Sequence, residues 1–221
     1  ETKDLSYERH LKTRTWGAEV FPGSSVPNAM VQLSPVTQFR SGAGYQYEDT
    51  VIYGFSHTNK GHWNLLHLPV LPVTGNISSG DYASTYSHSN ESARPGYYQV
   101  FLERYGVNAE LTSTLRCAYH KYTFRPDDDK KVLVDITRTN NGVRDWSIQK
   151  VDDYTFSGNQ DAEGNIRFYA VSNYKIEDIR QLKDGEHEVS VVSFADSKGS
   201  KPLELKIGFS FVSIDNAKMN L

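Results

Sequence analysis

The chain has a single cysteine, Cys117, among 221 residues, which rules out an intramolecular disulfide, a cysteine zinc site and a redox pair. Cys117 lies in Leu115-Arg116-Cys117-Ala118-Tyr119, a strand-like stretch that calls for a small buried residue rather than a nucleophile. Charge of one sign is lacking as well. A formal net charge of -3 leaves no electrostatic case for nucleic acid or an anionic membrane as partner. No apolar run approaches the roughly 20 residues of a membrane span. Glu1-Thr2-Lys3-Asp4 is not a signal peptide, so the protein reads as cytosolic or as having lost a leader. There is no sustained helical period, fixed-length repeat or low-complexity tract.

Familiar catalytic patterns are also missing. No Ser/His/Asp arrangement or phosphate-binding glycine loop is evident. Glu103 and Glu110 have no spacing that demands a shared cleft, and Asp152 and Asp153, as strand neighbours, would point to opposite faces. Asp127-Asp128-Asp129 lacks the glycine and distal glutamate of a calcium loop. His57, His62 and His67 recur every five residues, so neighbouring members on a strand would alternate faces and no metal triad is expected.

What is abundant is aromatic and β-branched. Aromatics make up 12% of the chain, with 14 Tyr and 10 Phe, a composition suited to sheets and to surfaces that face carbohydrate. Strand patterns recur from Ala29 to the end, separated by Gly, Asn, Asp and Pro turns. They include Asp49 to Phe55, Leu65 to Val73, Tyr97 to Arg104, Glu110 to Phe124, Val132 to Ile136, Trp146 to Val151, Asp153 to Ser157, Ile166 to Ser172 and Glu188 to Phe194. The clearest alternation is Leu203, Leu205, Ile207, Phe209 and Phe211 against Glu204, Lys206, Gly208 and Ser210, a strand with one buried face. Pro69 and Pro72 place the Leu65 to Val73 strand at a sheet edge or a bulge. The fold class is therefore all-β, a large antiparallel β-sandwich. Residues up to about Trp16 read as a flexible lead or a terminal strand. Ser213 to Leu221 start like a helix, with Ser213 as N-cap.

One stretch concentrates chemistry. Gly54-Phe55-Ser56-His57-Thr58-Asn59-Lys60-Gly61-His62-Trp63-Asn64 gathers imidazoles, amides and an indole between strand-like flanks. A sugar offers hydroxyls to planar polar groups and an apolar C–H face to a ring, so Trp63, His62, His57, Asn59 and Asn64 are the leading substrate-binding candidates, with Lys60 beside them. The long Ser, Asn, Gly and Tyr connection from Gly75 to Pro95 adds Tyr86 and His88 in second rank, with Tyr82 and Asn90.

Motifs run in order along nearly the whole chain: Phe21-Pro22-Gly23, Met30-Val31-Gln32-Leu33-Ser34-Pro35, Gly54-Phe55-Ser56-His57-Thr58, Tyr86-Ser87-His88 with Asn90-Glu91, Pro95-Gly96-Tyr97-Tyr98, Ala109-Glu110-Leu111-Thr112-Ser113-Thr114, His120-Lys121-Tyr122-Thr123-Phe124, and Phe211-Val212-Ser213 with Asn216-Ala217. Together they resemble the N-terminal β-sandwich domain of glycoside hydrolase family 92, the calcium-dependent exo-acting α-mannosidases best known from gut Bacteroidetes. The chain departs from that pattern at Asn59-Lys60-Gly61-His62-Trp63, where the family more commonly has a His, Ser and Gly-rich run. The resemblance implies a galactose mutarotase-like supersandwich over residues 1–212, with residues 213–221 starting a helical linker to an (α/α)6 barrel outside this chain. It further implies inverting hydrolysis of α-mannosides in glycans, with the acid, base and calcium on the barrel and none of them here. It implies a secreted, periplasmic or cell-surface bacterial setting. The sandwich would then supply an aromatic to the leaving-sugar pocket. A free-standing carbohydrate-binding module and a purely structural sandwich remain as alternatives.

Overall fold

A computed structural model describes residues 21–60, 63–78 and 80–221 of the chain, without the side chain of Asp184. The expected lead up to Trp16, and the site candidate His62, lie outside the described residues. The rest is antiparallel β-structure in two large sheets.

The first sheet runs in the order β1 (Ser24–Ser25), β2 (Gln32–Val36), β4 (Gly54–Ser56), β7 (Val70–Val73), β13 (Lys131–Val134), β18 (His187–Phe194) and β17 (Ile176–Asp184). The second runs β14 (Asp145–Lys150), β15 (Thr155–Asp161), β16 (Ile166–Ser172), β19 (Leu203–Ser210), β12 (Cys117–Thr123), β11 (Val107–Ser113), β10 (Tyr97–Leu102) and β9 (Glu91–Arg94). Two small ladders sit outside them: β3 (Val51–Ile52) with β8 (Ser84–Thr85), and β5 (Asn59–Lys60) with β6 (Trp63–Asn64).

Both inner faces feed one core. Leu33, Phe55, Leu71 and Val132 from the first sheet and Tyr98, Leu111, Tyr122, Phe168, Leu205 and Phe209 from the second belong to a single buried cluster. The two-residue period makes this possible: Leu203, Leu205, Ile207 and Phe209 are fully buried while Lys206 faces water. Phe211 departs from the expected stripe. β19 ends at Ser210, whose Oγ accepts the Val212 N–H at 3.0 Å, and the turn leaves Phe211 about half exposed at 52%.

Three further expectations shift. The strand expected over Leu65 to Val73 is reduced to β7, which lies inside its sheet between β4 and β13 rather than at an edge. β4 pairs with it only at Phe55↔Val70, so Pro72 lies past the end of that ladder and its missing donor can face an unpaired flank. The strand expected from Glu110 to Phe124 is two strands, β11 and β12, joined at residues 114–116. β17 had no sequence signal at all. It is an edge strand with Glu177, Asp178, Arg180 and Lys183 along it, and edge position rather than alternation explains its composition.

After β19 the chain forms α1 (Ile214–Met219), capped by Ser213 Oγ, which accepts the Asn216 N–H at 3.1 Å. α1 lies back on β19, β16 and β15. Gly208 allows it: a Cβ there would stand 2.1 Å from the Ala217 carbonyl oxygen. Asn220 Nδ2 donates to the Phe209 carbonyl at 2.8 Å, and Ala217 is wholly buried.

Candidate functional site

The stretch singled out above leaves β4, makes a small hairpin and returns into β7. In register, Lys60 pairs with Trp63 and Asn59 with Asn64. Directly opposed residues share a face and successive residues alternate, so the hairpin sorts the candidates into two sets. Lys60 and Trp63 occupy the outer face, the first exposed and the second half-buried. Asn59 and Asn64 occupy the inner one.

The inner set is structural in its contacts. Asn64 has no accessible surface; its Oδ1 accepts the Leu66 N–H at 2.8 Å, and its Nδ2 donates to the Ala43 carbonyl and to Ser56 Oγ, both at 3.1 Å. These bonds fix a turn in which Leu66 and Leu68 both adopt positive φ, of 56° and 48°, a conformation that costs an L-residue about 1–2 kcal/mol. Leu68 N–H is held by Gln160 Oε1 at 2.9 Å. Asn59 is different: both its Nδ2 and its Oδ1 are buried and have no hydrogen-bond partner among the described residues.

His57, at the root of the hairpin, is also fully buried, and its Nε2 lies 3.0 Å from Nε2 of His120 on β12. A proton inventory orders the chain of bonds. His57 Nδ1 faces the His67 carbonyl at 3.4 Å, which can only accept, so Nδ1 carries the proton and Nε2 accepts from His120. His120 Nδ1 then accepts from the Tyr122 hydroxyl at 2.7 Å. Burial drives the His57 pKa down to about 3 and that of His120 well below the ordinary imidazole value. This neutral relay ties the root of the hairpin to the second sheet. His67 is likewise buried, with Nδ1 2.6 Å from Thr58 Oγ1.

The outer face gathers residues from two further turns. Lys60 Nζ lies 2.9 Å from Glu163 Oε1 on the β15–β16 turn, and Glu163 Oε2 accepts from Asn141 Nδ2. The Glu163 hydrogen bond and charge raise the Lys60 pKa. Asn140 braces the same region: its Nδ2 donates to the Asn64 carbonyl at 2.5 Å and to the Ser41 carbonyl at 2.9 Å, and its Oδ1 accepts the Arg40 N–H at 2.6 Å. Gly164, at φ 75°, turns the β15–β16 connection so that exposed Phe211 adjoins it. Sequence reading missed Glu163, Asn140 and Asn141 because Glu163-Gly164-Asn165 and Asn141-Gly142 announce only turns.

The second-rank residues form another cluster. His88 opens a short 3-10 turn, stacks on Tyr47 with ring centroids 4.0 Å apart, and places Nδ1 2.6 Å from the buried Glu91 carboxylate. Glu91 also accepts from the hydroxyls of Tyr98 at 2.6 Å and Tyr45 at 3.2 Å. Tyr86 is buried beside His88, Tyr82 is buried with its hydroxyl on Asp135, and Asn90 is exposed. Among the described residues no group of three or more His, Cys, Asp or Glu side chains could hold a metal ion. No described helix is long and apolar enough to cross a membrane.

Residues 11–210 match the family model described as the glycosyl hydrolase family 92 N-terminal domain. Among solved structures, the chain is similar to the family GH92 α-mannosidase BT3965 from Bacteroides thetaiotaomicron, at 28% identity and a TM-score of 0.82, over 92% of this chain and 32% of that one. A structure of that enzyme in complex with mannoimidazole matches over 91% of this chain and 32% of that one, again at 28% identity and a TM-score of 0.82. The inverting mannosidase BT2199 from the same organism matches in fold, with a TM-score of 0.77 at 21% identity, over 92% of this chain and 30% of that one. The chain thus spans about a third of the length of these enzymes. No curated protein matches it.

Proposed function

Because the chain belongs to the glycosyl hydrolase family 92 N-terminal domain family, we propose that it is the non-catalytic sandwich domain of an α-mannosidase and completes the pocket for the leaving sugar. In this reading, residues 1–212 form the sandwich and residues 213–221 begin the connection to an (α/α)6 catalytic domain. That domain carries the acid, the base and the calcium ion, and the substrates are α-mannosides in glycans outside the bacterial cytoplasm. The observation that supports it most directly is the Lys60↔Trp63 pairing, which sets a half-buried indole on the same face of the hairpin as an exposed lysine. Trp63 then stacks on the apolar face of the leaving sugar. Asn64 and His57 hold the hairpin from within, Asn59 and Lys60 contribute polar groups to the sugar, and His62 remains a candidate from the sequence alone.

A second feature supports a covered face. Phe211 is 52% exposed, Val212 75%, Met219 76% and Leu221 42%, a concentration of apolar surface around α1 that suits a packed neighbouring domain. Phe211 lies against the turn that carries Glu163, so the apolar face and the hairpin adjoin.

The test is Trp63→Ala in the intact enzyme. The use of α-mannobiose should fall by roughly tenfold in kcat/KM, while an aryl mannoside, which has no leaving sugar, is little affected. Equal losses on the two substrates would remove Trp63 from the subsite. The isolated chain should release no mannose from α-mannobiose; release that a carboxylate substitution in this chain abolishes would overturn the non-catalytic assignment. Tight glycan binding by the isolated chain would favour a free-standing sugar-binding module instead.

A further inference from the structure

Resting on that reading of the hairpin, we propose that Glu163, with Lys60 and Asn141, forms the edge of the site that reads sugar hydroxyls, and so selects among α-mannoside linkages. Three turns that are far apart in sequence meet here. Lys60 shares the outer face of the hairpin with Trp63. Glu163 reaches Lys60 from the β15–β16 turn, and Asn141 reaches the other Glu163 oxygen from the turn before β14. The polar group is therefore on the indole's side of the hairpin.

Energetics favour a ligand over a strut. The Lys60 and Glu163 side chains are 72% and 42% exposed, and an ion pair so open to water contributes little to folding. The hairpin is already anchored by Asn64, Asn140 and the His57–His120 relay, so it does not depend on this pair. Valence is left over. A carboxylate accepts at about four positions and an ammonium donates three hydrogens. Here two carboxylate contacts and one ammonium contact are made within the protein. A pair of neighbouring sugar hydroxyls, each both donor and acceptor, can give a hydrogen to Glu163 and take one from Lys60. Trp63 tolerates many rings, whereas this donor–acceptor order accepts only hydroxyls at a fixed spacing and orientation. It therefore discriminates between linkages, which present different hydroxyl pairs of the leaving mannose.

The experiment compares Glu163→Gln, Lys60→Met and the charge exchange K60E/E163K with the unsubstituted enzyme on α-1,2-, α-1,3- and α-1,6-linked mannobiose and on an aryl mannoside. Glu163→Gln should raise KM for the preferred mannobiose about tenfold and narrow the preference among linkages, with aryl mannoside turnover and thermal midpoint unchanged. The charge exchange rebuilds the ion pair but reverses the order of donor and acceptor, so it should not restore preference. Restoration by the exchange would assign Glu163 to steadying the hairpin and overturn the proposal. An unaltered linkage preference in Glu163→Gln would overturn it too. If Trp63→Ala alters mannobiose use while Glu163→Gln does not, only the present inference fails; if neither does, the leaving-sugar reading fails with it.

Discussion

His57, His67 and His120 have no accessible surface and pKa values lowered by burial, to about 3 for His57 and about 4 for His67, and well down for His120. In the unfolded chain they titrate near the ordinary 6.5, so between that pH and their folded values the unfolded state binds more protons than the native one. Stability is complete above about pH 6.5 and drains as the pH falls, by up to about 1.4 kcal/mol per pH unit for each ring once the unfolded chain is charged. Urea midpoints at pH 7.5, 6.5, 5.5 and 5.0 should decline steeply, and H57Q/H120Q, less stable overall, should decline less steeply. A flat profile over that range would show that the rings are not held neutral. The same residues illustrate what sequence reading misses at this scale. An imidazole beside amides and an indole looks like a ligand for sugar, and only the position of β12, more than sixty residues on, reveals that His57 already has a partner inside the core.

Gly208 decides whether α1 can lie on β19. A methyl group there meets the Ala217 carbonyl at 2.1 Å, a backbone contact that no rotamer can relieve, so Gly208→Ala should lift the helix and cost about 1–3 kcal/mol. Limited proteolysis should then cut after Val212 far faster than in the parent, with the sandwich itself intact; unchanged cleavage would mean the helix is not seated on β19. Elements with strong local signals were legible: the alternation of β19, the Ser213 cap and the antiparallel class all stand. β17 was not, because the charges that suit a sheet edge erase the period that reveals a strand. Nor was the interior place of β7, since Pro69 before it and Pro72 within it argue for an edge, and the shortness of β4 that accommodates Pro72 is a tertiary fact. For the candidate site, the place of Trp63 in a short hairpin between β4 and β7 could be anticipated from its strand-like flanks. Glu163 and Asn141 could not, because turn residues carry no sign of which other turn they will meet.

At the scale of the whole molecule, the last strand of the chain is among the most interior. β19 lies between β16 and β12 and pairs with both along its length, from Tyr122↔Leu203 to Arg167↔Ser210. A chain ending at Pro202 therefore leaves β12 and β16 each with an open edge lined by the residues that would face Leu205 and Ile207. Expression of residues 1–202 should give insoluble protein, whereas 1–212, which lacks only α1, should remain soluble with reduced stability. A soluble, cooperatively unfolding 1–202 fragment would show that the second sheet closes without β19. The same placement orders events on the ribosome. The meander β9 to β12 can pair strand by strand as it emerges, hairpins closing in about 1–10 μs, yet its inner edge waits for a partner 80 residues downstream of Thr123. At about 5–20 residues per second that wait lasts roughly 4–16 s. Throughout it a half-finished sheet displays a bare backbone ladder, so the stretch between residues 123 and 203 acts as a delay line in the assembly of the second sheet.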